Sequence, residues 1–185
     1  PLLIASCAGA SKDLRIGASE APPNIISVFV GEQIESVIEE IIAKGHASRS
    51  KSGGTIKQNI STLPVLFKDA TDRNRTSPFA FTGNKFEFRS LGSSNSIACC
   101  NIMLNAAVAE SLKQYADELE KSENFEDDLH ALIKRVITDH QRILFDGNGY
   151  GDEWVKEATE VRGLSNLKTT ADAMPHLLDE KNKNM

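Results

Sequence analysis

The chain has 185 residues, a length suited to one domain or slightly more, with 40% hydrophobic and 25% charged residues. That balance excludes a wholly disordered or collagen-like chain, and no apolar run approaches the ~18 residues of a membrane span. The net charge of −5, from 21 Lys and Arg against 26 Asp and Glu, argues against nucleic-acid binding through a broadly basic surface but allows a local basic pocket.

Residues 1–23 read as loop, because Gly9, Ser11, Gly17, Pro22 and Pro23 break any period. The apolar run 25–30 (IISVFV) fits either a short strand or the start of a buried helix, and periodicity does not choose between them. From Gly31 onward, Ile34, Val37, Ile38, Ile41 and Ile42 fall at helical spacing with Glu35, Glu39, Glu40 and Lys44 opposite. That predicts an amphipathic helix stopped at Gly45. The stretch 45–62 is rich in Ser and Gly and reads as a solvated loop whose His46, Arg49, Lys51 and Lys57 could approach an anion. Residues 63–67 are a short strand candidate.

The run DRNRTSPFAFTGNKFEFR from Asp72 to Arg89 carries a turn signal, Thr82-Gly83-Asn84, between two aromatic-rich segments, which predicts a hairpin. Period 2 in its second strand places Lys85, Glu87 and Arg89 on one face, with Phe86 and Phe88 anchoring the other in the core. The charged face reads as solvated surface or as the polar wall of a site.

Two long helices follow. One stripe holds Ile97, Asn101, Leu104, Val108, Leu112, Tyr115 and Leu119 across 95–121. The other holds Leu129, Leu132, Ile133, Val136, Ile137, His140, Ile143 and Leu144 across 125–145. The short polar connection makes them antiparallel neighbours, with His140 a core histidine. Residues 146–151 (DGNGYG) form a tight loop, Asp152 is placed to cap a helix running to Gly163, and a last helical piece starts near Thr170 with Pro175 inside it. The sequence has no internal repeats.

Cys7, Cys99 and Cys100 are an odd number without metal-ligand spacing, and read as buried thiols of a cytoplasmic protein rather than a disulfide frame. The four histidines, His46, His130, His140 and His176, include no HExxH pair. The chain starts at Pro1 without a signal segment and ends within a helical pattern, which reads as part of a longer chain.

Two constellations could carry chemistry. Asp146, Asn148, Tyr150, Gly151, Asp152 and Glu157 occupy EF-hand positions of a single loop, but Tyr150 stands where an oxygen ligand is wanted and Glu153 where an apolar residue belongs. The other is a pair of distant segments, RIGASEAPP from Arg15 and Arg73-Asn74-Arg75-Thr76-Ser77 with Lys85, Glu87 and Arg89. Arginines pair with phosphates and carboxylates, and a glutamate among them can hold a divalent cation bridging phosphate oxygens.

Along RIGASEAPPNIISVFVGEQI, DRNRTSPFAFTGNKFEFR, LGSSNSIACCNIMLNAAVAE and RILFDGNGYGDEWVKEA the chain resembles the type III glutamine synthetases. The resemblance implies an α+β fold, antiparallel strands with packed helices and a mostly helical C-terminal half. Residues 1–93 would be a partial catalytic domain, and 94–185 its helical continuation. It also implies the reaction in which ATP, glutamate and ammonia give glutamine, ADP and phosphate through γ-glutamyl phosphate, with Mg²⁺ or Mn²⁺ as cofactor, in a cytoplasmic ring-shaped homo-oligomer. No nucleic-acid or membrane partner is implied, and the stretch alone is expected to be inactive.

By the same resemblance, Arg15 contacts glutamate. Glu20 is the flap glutamate that shields the intermediate and accepts a proton from ammonium. Arg75 and Lys85 meet ATP, Glu87 ligates metal, and Arg89 binds glutamate or the transferring phosphate. Leu14 and Ser19 depart from the histidine and asparagine of the type III pattern. A further phosphate-binding arginine of the smaller enzymes falls on Ala80, so the resemblance supplies no such contact there. The alternative reading is a non-catalytic helical or calcium-binding interaction module built on the 146–157 loop.

Overall fold

The computed structural model describes residues 1–6, 24–47, 77–90 and 95–183, with the backbone of 55–56 and 66–67. Cys7, Arg15, Glu20, Arg49, Lys51, Lys57 and the Asp72–Thr76 part of the hairpin segment lie outside the described residues.

The fold is mostly helical around a small mixed sheet. Strand β1 (Val28–Phe29) settles the ambiguity of the 25–30 run in favour of a strand. Burial alternates there with period 2: Ile25, Ser27 and Phe29 are buried, while Ile26 and Val28 are half-buried. Strand β1 pairs in parallel with β4 (Phe79–Phe81), which pairs antiparallel with β5 (Phe86–Phe88). On the other side of β1, Leu144 bridges Val28, and the Phe145 N–H donates to the Val28 carbonyl at 3.0 Å. A second antiparallel pair joins β2 (Thr55–Ile56) to β3 (Leu66–Phe67). Strand β2 corrects the reading of 45–62 as loop throughout, because a cross-strand partner about ten residues away supplies the backbone bonds that polar composition does not foretell.

Helix α2 (Gly31–Lys44) follows the isoleucine spacing and ends as its sequence requires. Gly45 takes φ 84°, and its N–H closes on the Ile41 carbonyl at 2.8 Å. Lys44 and Glu40 pair one turn apart. Helix α2 packs against α4 (Phe125–His140), and α4 packs against α3 (Ala98–Leu119), with Arg135 and Glu118 bridging α3 and α4 at 2.6 Å. The helix α1 (Leu2–Ser6) lies against α3 and against α6 (Thr170–Ala173).

Among the described residues, two apolar clusters hold this frame. Ile4, Ala5 and Ala173 form one, with Ile26, Leu167 and Leu177 packed on it. The other is Ile25, Trp154 and Ala158, with Phe145, Val155 and Leu164 around them. Trp154 lies on α5 (Asp152–Lys156), which continues as a π-helical turn, Glu157–Val161. Its indole stacks on Phe145 at 3.6 Å between centroids and 15° between planes, and the Arg162 guanidinium lies 5.2 Å from the indole centroid. Arg162 also pairs with Glu157 at 2.6 Å, so the helix end is closed by one side chain serving several acceptors.

Several sequence expectations change here. The α3 stripe is not core among the described residues: Ile97, Val108 and Leu112 are 73, 56 and 60% exposed. Periodicity identifies an apolar face but not what covers it. His140 is exposed at the last residue of α4, where the helix gives way to a 3₁₀ turn, Gln141–Ile143. Cys99 is exposed rather than buried. Asp152 occupies the first helical position instead of the cap, which is Gly151. Conversely, Thr169 and Asp172 form a reciprocal capping box before α6, legible as T-x-x-D but not read from the sequence. Pro175 lies in a 3₁₀ turn, Met174–Leu178, between α6 and α7 (Glu180–Lys183).

Candidate functional site

The site is built on the β4–β5 hairpin. Ladder pairs Phe79↔Phe88, Ala80↔Glu87 and Phe81↔Phe86 fix its register. The four residues between the strands turn on Gly83, whose φ of 92° a side chain would strain. The Thr82 N–H closes the turn on the Lys85 carbonyl at 2.9 Å. Lys85 is thus the last loop residue, one position before β5.

Lys85, Glu87 and Arg89 stand together on one face. Lys85 Nζ lies 3.4 Å from Glu87 Oε1, and an Arg89 terminal nitrogen lies 3.3 Å from Glu87 Oε2. Arg89, and after it Lys85, hold the Glu87 carboxyl below the usual glutamate range by hydrogen bonding its charged form. Directly across the ladder is Ala80, fully buried between Glu87 and Phe29 in register. Position 80 therefore holds a buried methyl group and no cation.

The opposite face carries two cross-strand aromatic pairs, Phe79–Phe88 at 4.8 Å and Phe81–Phe86 at 5.3 Å between centroids. Phe88 is half-buried, but Phe86 is 55% exposed, so it does not anchor the strand in a closed core. Its ring borders a cavity of about 440 Å³ shared with Phe79, Phe88, Ile97, Cys100 and Leu104.

The depressed Glu87 value predicts a pH dependence. A carboxyl whose folded pKa lies below its unfolded one adds stability that is complete above the unfolded value, about pH 4.3, and lost as pH falls through the folded one. Side-chain carboxyl NMR should therefore give Glu87 a midpoint below that of exposed glutamates. Arg89→Ala should raise it more than Lys85→Ala, and a wild-type midpoint at or above the ordinary value contradicts the pairing.

The other loop of interest behaves differently. Glu157, needed as the last EF-hand ligand, is engaged by Arg162 through its Nε at 2.8 Å, and the Asn148 side chain accepts the Tyr150 N–H. Among the described residues, no group of three or more His, Cys, Asp and Glu side chains is arranged to hold a metal ion. The sequence reading also missed two buried serines, Ser27 and Ser77. The signal was present: Ser27 shares parity with Ile25 and Phe29 in a strand whose odd positions are buried.

A "Type-3 glutamine synthetase" of Dictyostelium discoideum is 42% identical over 184 residues, 98% of this chain and 25% of that protein. A glutamine synthetase of Bacteroides fragilis (strain YCH46) is 39% identical over 188 residues, 98% of this chain and 26% of that protein. The chain is a homologue of the glutamine synthetases. A glutamine synthetase of Butyrivibrio fibrisolvens is 42% identical over 196 residues, again 98% of this chain and 26% of that protein. The glutamine synthetase C-terminal domain model matches residues 128–185. That range starts inside α4 and includes Trp154, Ala158 and the capping box before α6. The chain spans about a quarter of the length of the relatives it matches. No helix among the described residues is long and apolar enough to cross a membrane.

Proposed function

We propose that this chain is part of the catalytic region of a cytoplasmic, ring-forming glutamine synthetase, with residues 1–93 carrying site residues and 94–185 supporting them. The observation that carries the proposal is the Lys85–Glu87–Arg89 row on one face of a hairpin, within a stretch 42% identical to a type-3 enzyme.

Glu87 offers one carboxylate between two cations. By the family pattern it would ligate Mg²⁺ or Mn²⁺ once Lys85 and Arg89 release it, as one of few protein carboxylates beside water and phosphate oxygens. Such an ion would neutralise charge on the transferring phosphoryl group. Arg89 is half-buried and hydrogen-bonded to Glu87, and by the family pattern it would bind the glutamate carboxylate or the transferring phosphate. Lys85 is mostly exposed at 63% and can swing to ATP phosphates. Arg75 is assigned to ATP, Arg15 to glutamate and Glu20 to the flap by the family pattern. In this mechanism the glutamate side-chain carboxylate attacks the γ-phosphate as ADP leaves, and the γ-glutamyl phosphate is kept from water until ammonia displaces phosphate.

The test is a coupled assay of phosphate release and glutamine formation in a full-length enzyme carrying this stretch. Glu20→Ala should slow glutamine formation and make phosphate release exceed it, with the melting temperature nearly unchanged. Tight coupling at the wild-type rate would assign Glu20 to scaffold.

A further inference from the structure

We infer that Ser77, supported by Ser27, is a positioning residue that sets the backbone of Arg89. Among the described residues these are the two buried polar side chains, Ser27 at 0% and Ser77 at 3% exposure. Their hydroxyls form a directed chain. Ser27 Oγ donates to Ser77 Oγ at 2.9 Å, and Ser77 Oγ donates to the Phe145 carbonyl at 3.2 Å. Ser77 is therefore acceptor and donor at once, and neither hydroxyl can rotate without leaving a buried group unpaired.

The chain links three elements separated by 50 and 68 positions in sequence. Phe145 brings in the Trp154 stack, and its own N–H is fixed on Val28. Ser77 leads directly into the hairpin: Pro78 offers its carbonyl to the Arg89 N–H at 2.7 Å, and the Phe79 N–H donates to the Ser27 carbonyl at 3.2 Å. Arg89 lies one residue beyond the last ladder pair, Phe79↔Phe88. Its backbone is tied to the hairpin through Pro78, whose ring fixes φ and whose preceding residue is the clamped Ser77. Two hydroxyls stand where small apolar residues would bury more easily, and a fully satisfied buried network selects one geometry. That geometry sets where the Arg89 guanidinium meets Glu87. The catalytic meaning of this placement rests on the function proposed above; the placement itself does not.

The experiment uses a full-length enzyme carrying this stretch, with Ser77→Ala, Ser27→Ala and Ser77→Thr. Hydrogen exchange resolved at the Arg89 amide is measured beside kcat and the KM for glutamate. Ser77→Ala should speed Arg89 exchange by about tenfold or more while the amides of α3 keep their protection. Its kcat/KM for glutamate should fall by about the same factor, and Ser77→Thr should restore part of both. Ser27→Ala leaves the Ser77–Phe145 bond in place and should give a smaller change of the same kind in a more readily folded variant. Unchanged Arg89 exchange in both alanine variants, or protection lost equally in the hairpin and in α3, overturns the inference. Normal glutamine formation by Glu87→Ala would instead overturn the proposed reaction and leave the exchange result standing.

Discussion

Glu87→Ala, in a full-length enzyme containing this stretch, is expected to reduce glutamine formation by about 10²-fold or more. The geometry explains why the effect should exceed that of an ordinary surface carboxylate. Glu87 lies between Lys85 at 3.4 Å and Arg89 at 3.3 Å, so its removal leaves two neighbouring cations without the anion that holds both. A divalent ion would then face both cations with no carboxylate to ligate it. Glu87→Gln preserves shape but not charge and should lose nearly as much, whereas Glu87→Asp should recover part of the rate at raised Mg²⁺. Because the Glu87 side chain is 39% exposed, the melting temperature should hardly move in any of the three. Near-normal turnover of Glu87→Ala with Mg²⁺ would refute its role.

The largest loss of stability should come from Trp154→Ala, at about 3–5 kcal/mol. Trp154 is 4% exposed and packs with Ile25 and Ala158 at 1 and 0%. Truncation empties the space beneath the Phe145 ring and removes the surface over which Arg162 lies. Arg162 would keep Glu157 and the carbonyl of Leu144, so the π-helical turn should persist while the cluster loosens. Urea denaturation followed by circular dichroism is the suitable measurement, because Trp154 is the one tryptophan of the chain. A midpoint lowered by roughly 10 °C is expected in thermal scans, and Trp154→Phe should lose much less. A loss below about 1 kcal/mol would show that the cluster around Trp154 is not a principal core.

These two residues differ in how far the sequence announces them. Glu87 was legible because a hairpin signal and period 2 place alternate residues on one face, and strand pleating does not depend on distant partners. Trp154 was legible as part of a helix, but its partnership with Phe145 and Ile25 was not. Ile25 is 129 positions away, and nothing in the local pattern specifies the pairing. The same limit accounts for Phe86, whose face is correctly apolar yet opens on a cavity, and for Ile97, Val108 and Leu112 on α3, where spacing indicates an apolar stripe without saying what covers it.

The sequence by itself determined the amphipathic helix α2 and its glycine stop, the Thr82-Gly83-Asn84 hairpin, the side of the strand that carries charge, and the kinship with glutamine synthetases. Those features depend on backbone sterics, short-range spacing and residue identity, which a linear chain displays directly. Only the tertiary structure decided that the 25–30 run is a strand between Leu144 and β4, that Ala80 fills the position opposite Glu87, and that Ser27 and Ser77 share a buried bond. Each of these depends on segments far apart in sequence meeting at hydrogen-bond distance. A buried polar group requires such a partner, but the sequence around it does not say which one it is.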